Sequence, residues 1–186
     1  LLLLSSCEHI PSAAEKAVIA ERIKKNASFK GDHSPLSKEE RAKFTSLKYY
    51  AYDDDFNVLA KFETFAERDT IQMPTTRGLK KSYTRWGEAV FTIDGNEHRL
   101  TLLKMTNPKY TFFFLPFKDK TTAEETYYTG RYMEVKLKND TIRIDFNKAY
   151  NPWCNYSENY NCPIPVSFNE LEIAVEAGEK IYPRKK

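Results

Sequence analysis

A polar block between Asp119 and Asn151 is dense in groups that move protons or hold ions. Asp119, Glu124, Glu125, Arg131, Asp145 and Asn147 all fall at or near the ends of expected strands. Two carboxylates such as Glu125 and Asp145 are the residue types an acid and a base require, if each comes within hydrogen-bond reach of a reacting atom. Arg85 or Arg131 suits an anion, because a planar guanidinium donates twice to a carboxylate or phosphate. The candidate ligand-binding set is therefore Arg85, Asp119, Glu125, Arg131, Asp145, Asn147 and Tyr150, gathered at the mouth of a barrel. The competing reading is structural, with the same groups capping turns and forming an ion pair. Arg131 and Asp145, on paired strands of one hairpin, would then face each other. Removing one partner of such a pair, if buried, costs about 3–5 kcal/mol.

Other chemistries lack their residues. His9, His33 and His98 have no second His or Cys at zinc-ligand spacing. No strand–Gly–Ser–Gly context exists for a Ser-His-Asp system. With Gly 6 in the whole chain, no glycine-rich loop cradles a phosphate. Neither a metal nor a cofactor is expected. Cys154 and Cys162 bracket a short polar loop and leave three readings open: a disulfide, two separately buried thiols, or a metal or nucleophile role. A disulfide there would stabilise by about 2.5 kcal/mol in the chain-entropy model. The stiff Asn151-Pro152-Trp153 and Pro163-Ile164-Pro165 segments frame a non-strand loop, since proline cannot sit in a central strand. Its rings, Tyr150, Trp153, Tyr156 and Tyr160, either plug one barrel end or line a pocket for a flat or sugar-like ligand.

These groups must be positioned by a mostly β scaffold. Val58, Ala60 and Phe62 alternate with charged neighbours, the period of a strand. Ile71 and Met73 alternate before Pro74. Residues 89–93 and 99–105 flank Asp94-Gly95, a turn pair that supplies positive φ. Residues 110–117 form an aromatic run suited to a strand buried on both faces. Residues 131–137 and 141–146 read as a second hairpin. Leu171, Ile173 and Val175 alternate with glutamates as a last strand. Ahead of these, Ser12–Glu15 and Ser37–Glu40 are capping boxes that start helices running to about Asn26 and Leu47. No helical crossover separates the strands, so the sheet is antiparallel. The expected fold is mainly β, an antiparallel barrel or sandwich of about seven or eight strands preceded by two N-terminal α-helices.

The chain has 186 residues, with Tyr 12, Phe 12 and Trp 2, and its net charge of +3 gives no concentrated basic face for nucleic acid. It opens Leu1-Leu2-Leu3-Leu4-Ser5-Ser6-Cys7. That is too short to span a bilayer and reads as the end of a secretory signal. Leu4-Ser5-Ser6-Cys7 resembles a bacterial lipobox, in which small residues admit the peptidase and the cysteine thiol takes a diacylglycerol. Cys7 is thus the expected lipidation site. The expected divisions are a truncated signal peptide and lipidated cysteine over 1–7, a helical segment over 8–28, one β-rich domain over 29–183 and a basic tail over 184–186.

A set of short segments resembles one family. They are Ser34-Pro35-Leu36, Leu47-Lys48-Tyr49-Tyr50, Thr75-Thr76-Arg77-Gly78, Arg85-Trp86-Gly87, Leu115-Pro116-Phe117-Lys118-Asp119, Glu125-Thr126-Tyr127 and Gly130-Arg131-Tyr132. The series continues with Asp145-Phe146-Asn147 through Tyr150-Asn151-Pro152-Trp153-Cys154, then Cys162-Pro163-Ile164-Pro165, Asn169-Glu170-Leu171 and Ala177-Gly178-Glu179-Lys180. Together they look like the bacterial domain of unknown function 1684, from about Phe29 to Tyr182, with Ala123 where the family pattern usually has Gly. The resemblance implies one compact domain and carries no reaction with it. The expectation is an uncharacterised lipoprotein of the bacterial cell envelope, held to a membrane through Cys7. Its β-domain would be non-catalytic and either bind a small ligand or associate with the envelope. The alternative is an enzyme with hydrolase-like acid and base chemistry on Glu125, Asp145 and Arg131.

Overall fold

The computed structural model describes residues 9–105 and 109–183; Cys7 and the basic tail lie outside them. Helix α1 spans Ala13–Lys30, with the Ser12 hydroxyl accepting from the Glu15 amide at 3.1 Å. Only half of this capping box forms, because the Glu15 carboxylate meets the His9 ring instead, at 2.7 Å. Helix α2, Lys38–Lys43, has the complete box between Ser37 and Glu40. It stops short of the expected Leu47, since only a single turn and a half separates the box from Phe44, which turns inward to pack on Phe29.

The strands are β1 (Asn57–Thr64), β2 (Thr70–Pro74), β3 (Lys80–Ile93), β4 (Asn96–Met105), β5 (Phe113–Phe117), β6 (Arg131–Val135), β7 (Leu137–Lys138) and β8 (Thr141–Asp145). All pairings between them are antiparallel. The sheet has eight strands, ordered β6-β5-β4-β3-β1-β8-β7, with β2 paired to β3. β6 and β8 approach each other, so the sheet is nearly closed into a barrel. The period-two reading holds where one strand face meets the core. Along β3, Tyr83, Gly87, Ala89, Phe91 and Ile93 are buried; along β8, Ile142 and Ile144 are. All five residues of β5 are buried, as its aromatic run implies. The β3–β4 turn places Asp94 at φ 50° and Gly95 at φ 75°. Leu100, Leu102, Leu115, Phe117, Ile142 and Phe146 fill the interior, each worth about 1.5–3 kcal/mol of burial.

Two expectations need correction. Residues 131–137 and 141–146 are not one hairpin. Arg131 pairs across from Phe117 on β5, and of this stretch only Leu137 and Lys138 fold back on β8, whose other edge pairs with β1. Leu171, Ile173 and Val175 do not form a strand. Leu171, Val175 and Ala177 are buried as a barrel plug, and the Val175 and Ala177 carbonyls accept from the Arg131 guanidinium rather than from a neighbouring strand.

Candidate functional site

Arg131 is the most enclosed of the candidate residues. Its side chain and that of Asp119 are both 0% exposed, with Nη2 2.8 Å from Asp119 Oδ2. The same nitrogen donates to Val175 O at 2.9 Å, and Nη1 donates to Ala177 O. Asp119 Oδ1 accepts from the Thr121 amide at 2.7 Å and the Thr121 hydroxyl at 2.6 Å. This network ties the start of β6 and the loop after β5 to the plug. It is sealed from solvent, and the partner of Arg131 is Asp119, not Asp145.

The remaining candidates do not converge on Arg131: Asp145, Asn147 and Tyr150 are neighbours, while Arg85 and Glu125 lie apart from them. Arg85 on β3 pairs with Asp69 at 2.7 Å and lies between the rings of Phe65 and Phe168. Glu125 is exposed and meets Lys180 at 2.7 Å, whose hydrogen bond holds its carboxyl below the usual range. Asp145 Oδ1 accepts from the amide and side chain of Asn147. Asn147, 1% exposed, exchanges hydrogen bonds with the Asp53 backbone at 3.0 and 2.7 Å. The Tyr150 hydroxyl donates to Glu134 at 3.2 Å. Glu125 and Asp145 share no hydrogen-bond partner among the described residues. Among those residues no group of three or more His, Cys, Asp or Glu could hold a metal ion, and no helix is long and apolar enough to cross a membrane.

Asp145 and Tyr150 share the wall of an open cavity of about 680 Å³ with Glu134 and Arg143. Two more concave features stand out. The first is a recess of about 190 Å³ beneath α1, around Glu179. Gly178 adopts φ 81°, and a Cβ there would sit 2.7 Å from the carbonyls of Phe146 and Ala149. Only glycine lets the chain pass so close, and that pass delivers the Glu179 carboxylate to the interior. Glu179 is 0% exposed, meets Lys25 Nζ at 2.6 Å and accepts from the Tyr156 hydroxyl. Burial pushes its carboxyl up, with Lys25 opposing. Tyr49 beside it is pushed up to about 12, first by burial and then by the Glu179 charge. Arg22 completes the α1 contact by donating to the carbonyls of Tyr50 and Asn147.

The second is an open cleft of about 580 Å³ beside the cysteine loop. Cys154 and Cys162 are joined by a disulfide, Cα atoms 6.2 Å apart. The loop is fastened to the end of β2 and the turn after it: Thr76 N donates to Cys162 O at 3.0 Å, Ile164 N to Pro74 O at 2.8 Å, and Arg77 N to Asn161 Oδ1 at 3.0 Å. Tyr127, Tyr128, Tyr160 and Tyr182 wall the cleft. The Trp153 ring packs tilted against Tyr160, centroids 5.2 Å apart, and Tyr127 packs tilted against Tyr128 at 4.6 Å. Tyr128, Trp153, Tyr160 and Ile181 are all exposed large apolar residues, concentrated around this one opening.

Of the loop rings expected to line a pocket, Tyr160 does so directly and Trp153 through Tyr160. Tyr156 is buried on Glu179, and Tyr150 borders the recess. Sequence reading missed Arg77, Tyr127, Tyr128, Asn155, Glu179 and Lys25 as site residues. The signal available was the Thr75–Gly78 turn and the Ala177–Lys180 segment, whose glycines mark tight backbone at Gly78 and Gly178, φ 74° and 81°.

The family model described as "Protein of unknown function (DUF1684)" matches residues 42–180, a span that contains the barrel, the disulfide loop and Glu179. A solution NMR structure of an uncharacterized protein from Haloarcula marismortui superposes with a TM-score of 0.69 and 34% identity, covering 90% of this chain and 94% of that one. Comparison with curated proteins gives no match. A match over most of the chain, joined to that identity over nearly the whole length, means that the chain belongs to the DUF1684 family of proteins of unknown function.

Proposed function

We propose that this protein is a non-catalytic small-ligand-binding domain of the bacterial cell envelope, held on a membrane by lipid on Cys7, with its ligand in the tyrosine cleft. The observation that carries the binding reading is the concentration of exposed rings around a 580 Å³ opening. That volume is in the usual range of ligand sites, and apolar walls with a few polar groups are their usual form. A disulfide in the cleft wall and prolines on both sides of the loop hold that wall in place, which lowers the ordering cost of binding. The anchoring reading rests on the Leu1–Cys7 pattern. The acid and base alternative gains no support: Arg131 is sealed, Glu125 is tied to Lys180, and Asp145 serves Asn147.

A thermal-shift screen of small ring compounds on the purified protein tests the reading. Ligands that raise the melting temperature of the wild type should lose that effect in Tyr128→Ala, whose side chain is exposed and contributes little to folding. Shifts that persist undiminished in Tyr128→Ala would contradict it.

A further inference from the structure

We infer that the outward face of helix α1 lies on an anionic bilayer surface, with its isoleucines among the acyl chains and its lysines among the headgroups. This rests on the reading of Cys7 as a lipid anchor and adds to it a second contact that orients the protein. Helix α1 has two distinct faces. Val18 and Phe29 are buried, Lys25 meets Glu179, and Arg22 reaches the carbonyls of Tyr50 and Asn147. At about 3.6 residues per turn, Lys16, Ile19, Ile23, Lys24 and Lys30 fall on the arc turned away from those contacts. All five are exposed. Ile19 and Ile23, one turn apart, are 39% and 64% exposed, and Ile10 just before the helix is 82% exposed.

The charges on this arc have one sign. Lys16, Lys24 and Lys30 enter no ion pair among the described residues, whereas the acids of the helix are taken, Glu15 by His9 and Glu21 by Lys148. Apolar side chains interleaved with unpaired cations are complementary to negative headgroups over an acyl interior. Lysine suits that boundary, because its methylene stem lies along apolar surface while the ammonium stays in water. The apolar stripe is narrow, so the contact alone is reversible. It orients an anchored protein and does not hold a free one. Ala13, the first residue of the helix, lies six positions after Cys7, at most about 20 Å of extended chain. An anchor on Cys7 therefore keeps α1 at the membrane surface, where a high effective concentration makes a weak contact sufficient.

The test is vesicle co-sedimentation of the full chain carrying Cys7→Ser, which has no lipid. The vesicles are phosphatidylglycerol and phosphatidylcholine in equal parts, or phosphatidylcholine alone. Leu1–Leu4 and the basic tail over 184–186 are common to every sample, so the comparisons read α1. The expected result is saturable binding to the anionic vesicles at low salt, at least about tenfold weaker on the neutral ones. The triple variant Lys16→Gln/Lys24→Gln/Lys30→Gln should weaken it about a hundredfold, each lysine counting for about fivefold. Ile19→Ser/Ile23→Ser should weaken it at least about tenfold. All five positions are exposed, so the variants keep the fold, and an unchanged circular dichroism spectrum checks this. Equal binding to both kinds of vesicle, or binding that survives either set of substitutions, would overturn the inference. Self-association in solution that disappears in Ile19→Ser/Ile23→Ser would also overturn it, by assigning the face to a second copy of the chain. Each of these results leaves the anchor standing, since the anchor is read separately by membrane fractionation of the wild type against Cys7→Ser.

Discussion

Arg131 and Glu179 are both ionisable and fully enclosed, yet they depend on their partners differently. Arg131 has a carboxylate and two carbonyls fixed around it. Removing it leaves Asp119 buried without a cation, so Arg131→Met should lose about 3–5 kcal/mol in urea denaturation. Stability within about 0.5 kcal/mol of wild type would mean that the network does not clamp the plug. Glu179 has one cation, the Lys25 ammonium from α1, beside the Tyr156 hydroxyl that donates to it, and its carboxyl is raised by burial. A raised carboxyl favours folding fully below its unfolded value, 4.5, and that contribution is lost as pH rises through the higher folded value. The stability of the wild type relative to Glu179→Gln should therefore fall as pH rises above that lower value, and Lys25→Met should steepen the fall. A pH-independent difference would contradict this account of Glu179. Neither environment was legible in the sequence. Period two reveals which residues share a strand face, but an arginine on an inward face reads like any rim charge, because charged residues are rarely enclosed unless paired.

Strands β1, β2, β4, β5 and the last five residues of β3 were readable because their alternation, their Asp94-Gly95 turn and the aromatic run all reflect local geometry; residues 80–88 of β3 were not read as strand. Residues 171–177 alternate just as clearly and are not a strand. Their alternation records which side chains plug the barrel: Leu171 and Ile173 make backbone hydrogen bonds to Lys118 and Lys120, and beyond them the Val175 and Ala177 carbonyls are taken by a guanidinium from β6. The loop over residues 152–165 was readable as fixed and non-strand from its prolines, but its attachment to the Thr75–Gly78 turn is a long-range contact with no local signature. The disulfide closes a short loop, so the double variant Cys154→Ser/Cys162→Ser should lose about 2.5 kcal/mol in urea denaturation. Adding reductant to the wild type should reproduce that loss. Indifference to both would show that the loop is held by its hydrogen bonds to the turn alone.

At the scale of the molecule, a nearly closed barrel has the sealed Arg131–Asp119 pair clamping its plug, docks α1 across the Glu179 recess, and carries the tyrosine cleft on its surface. Each methylene inserted in a bilayer contributes about 0.8 kcal/mol, so two or more acyl chains on Cys7 would hold the protein to its membrane. Cys7→Ser should move the protein from the membrane pellet to the soluble fraction, and a variant that still pellets would remove the anchor. Binding in the cleft is the claim on which the functional account turns. Its most direct test is amide chemical-shift mapping with a library of ring-shaped fragments. The account predicts saturable shifts clustered on Arg77, Tyr127, Tyr128, Asn155 and Tyr160. Shifts clustered instead around Glu179 beneath α1, or no saturable shifts in the cleft across the library, would contradict it.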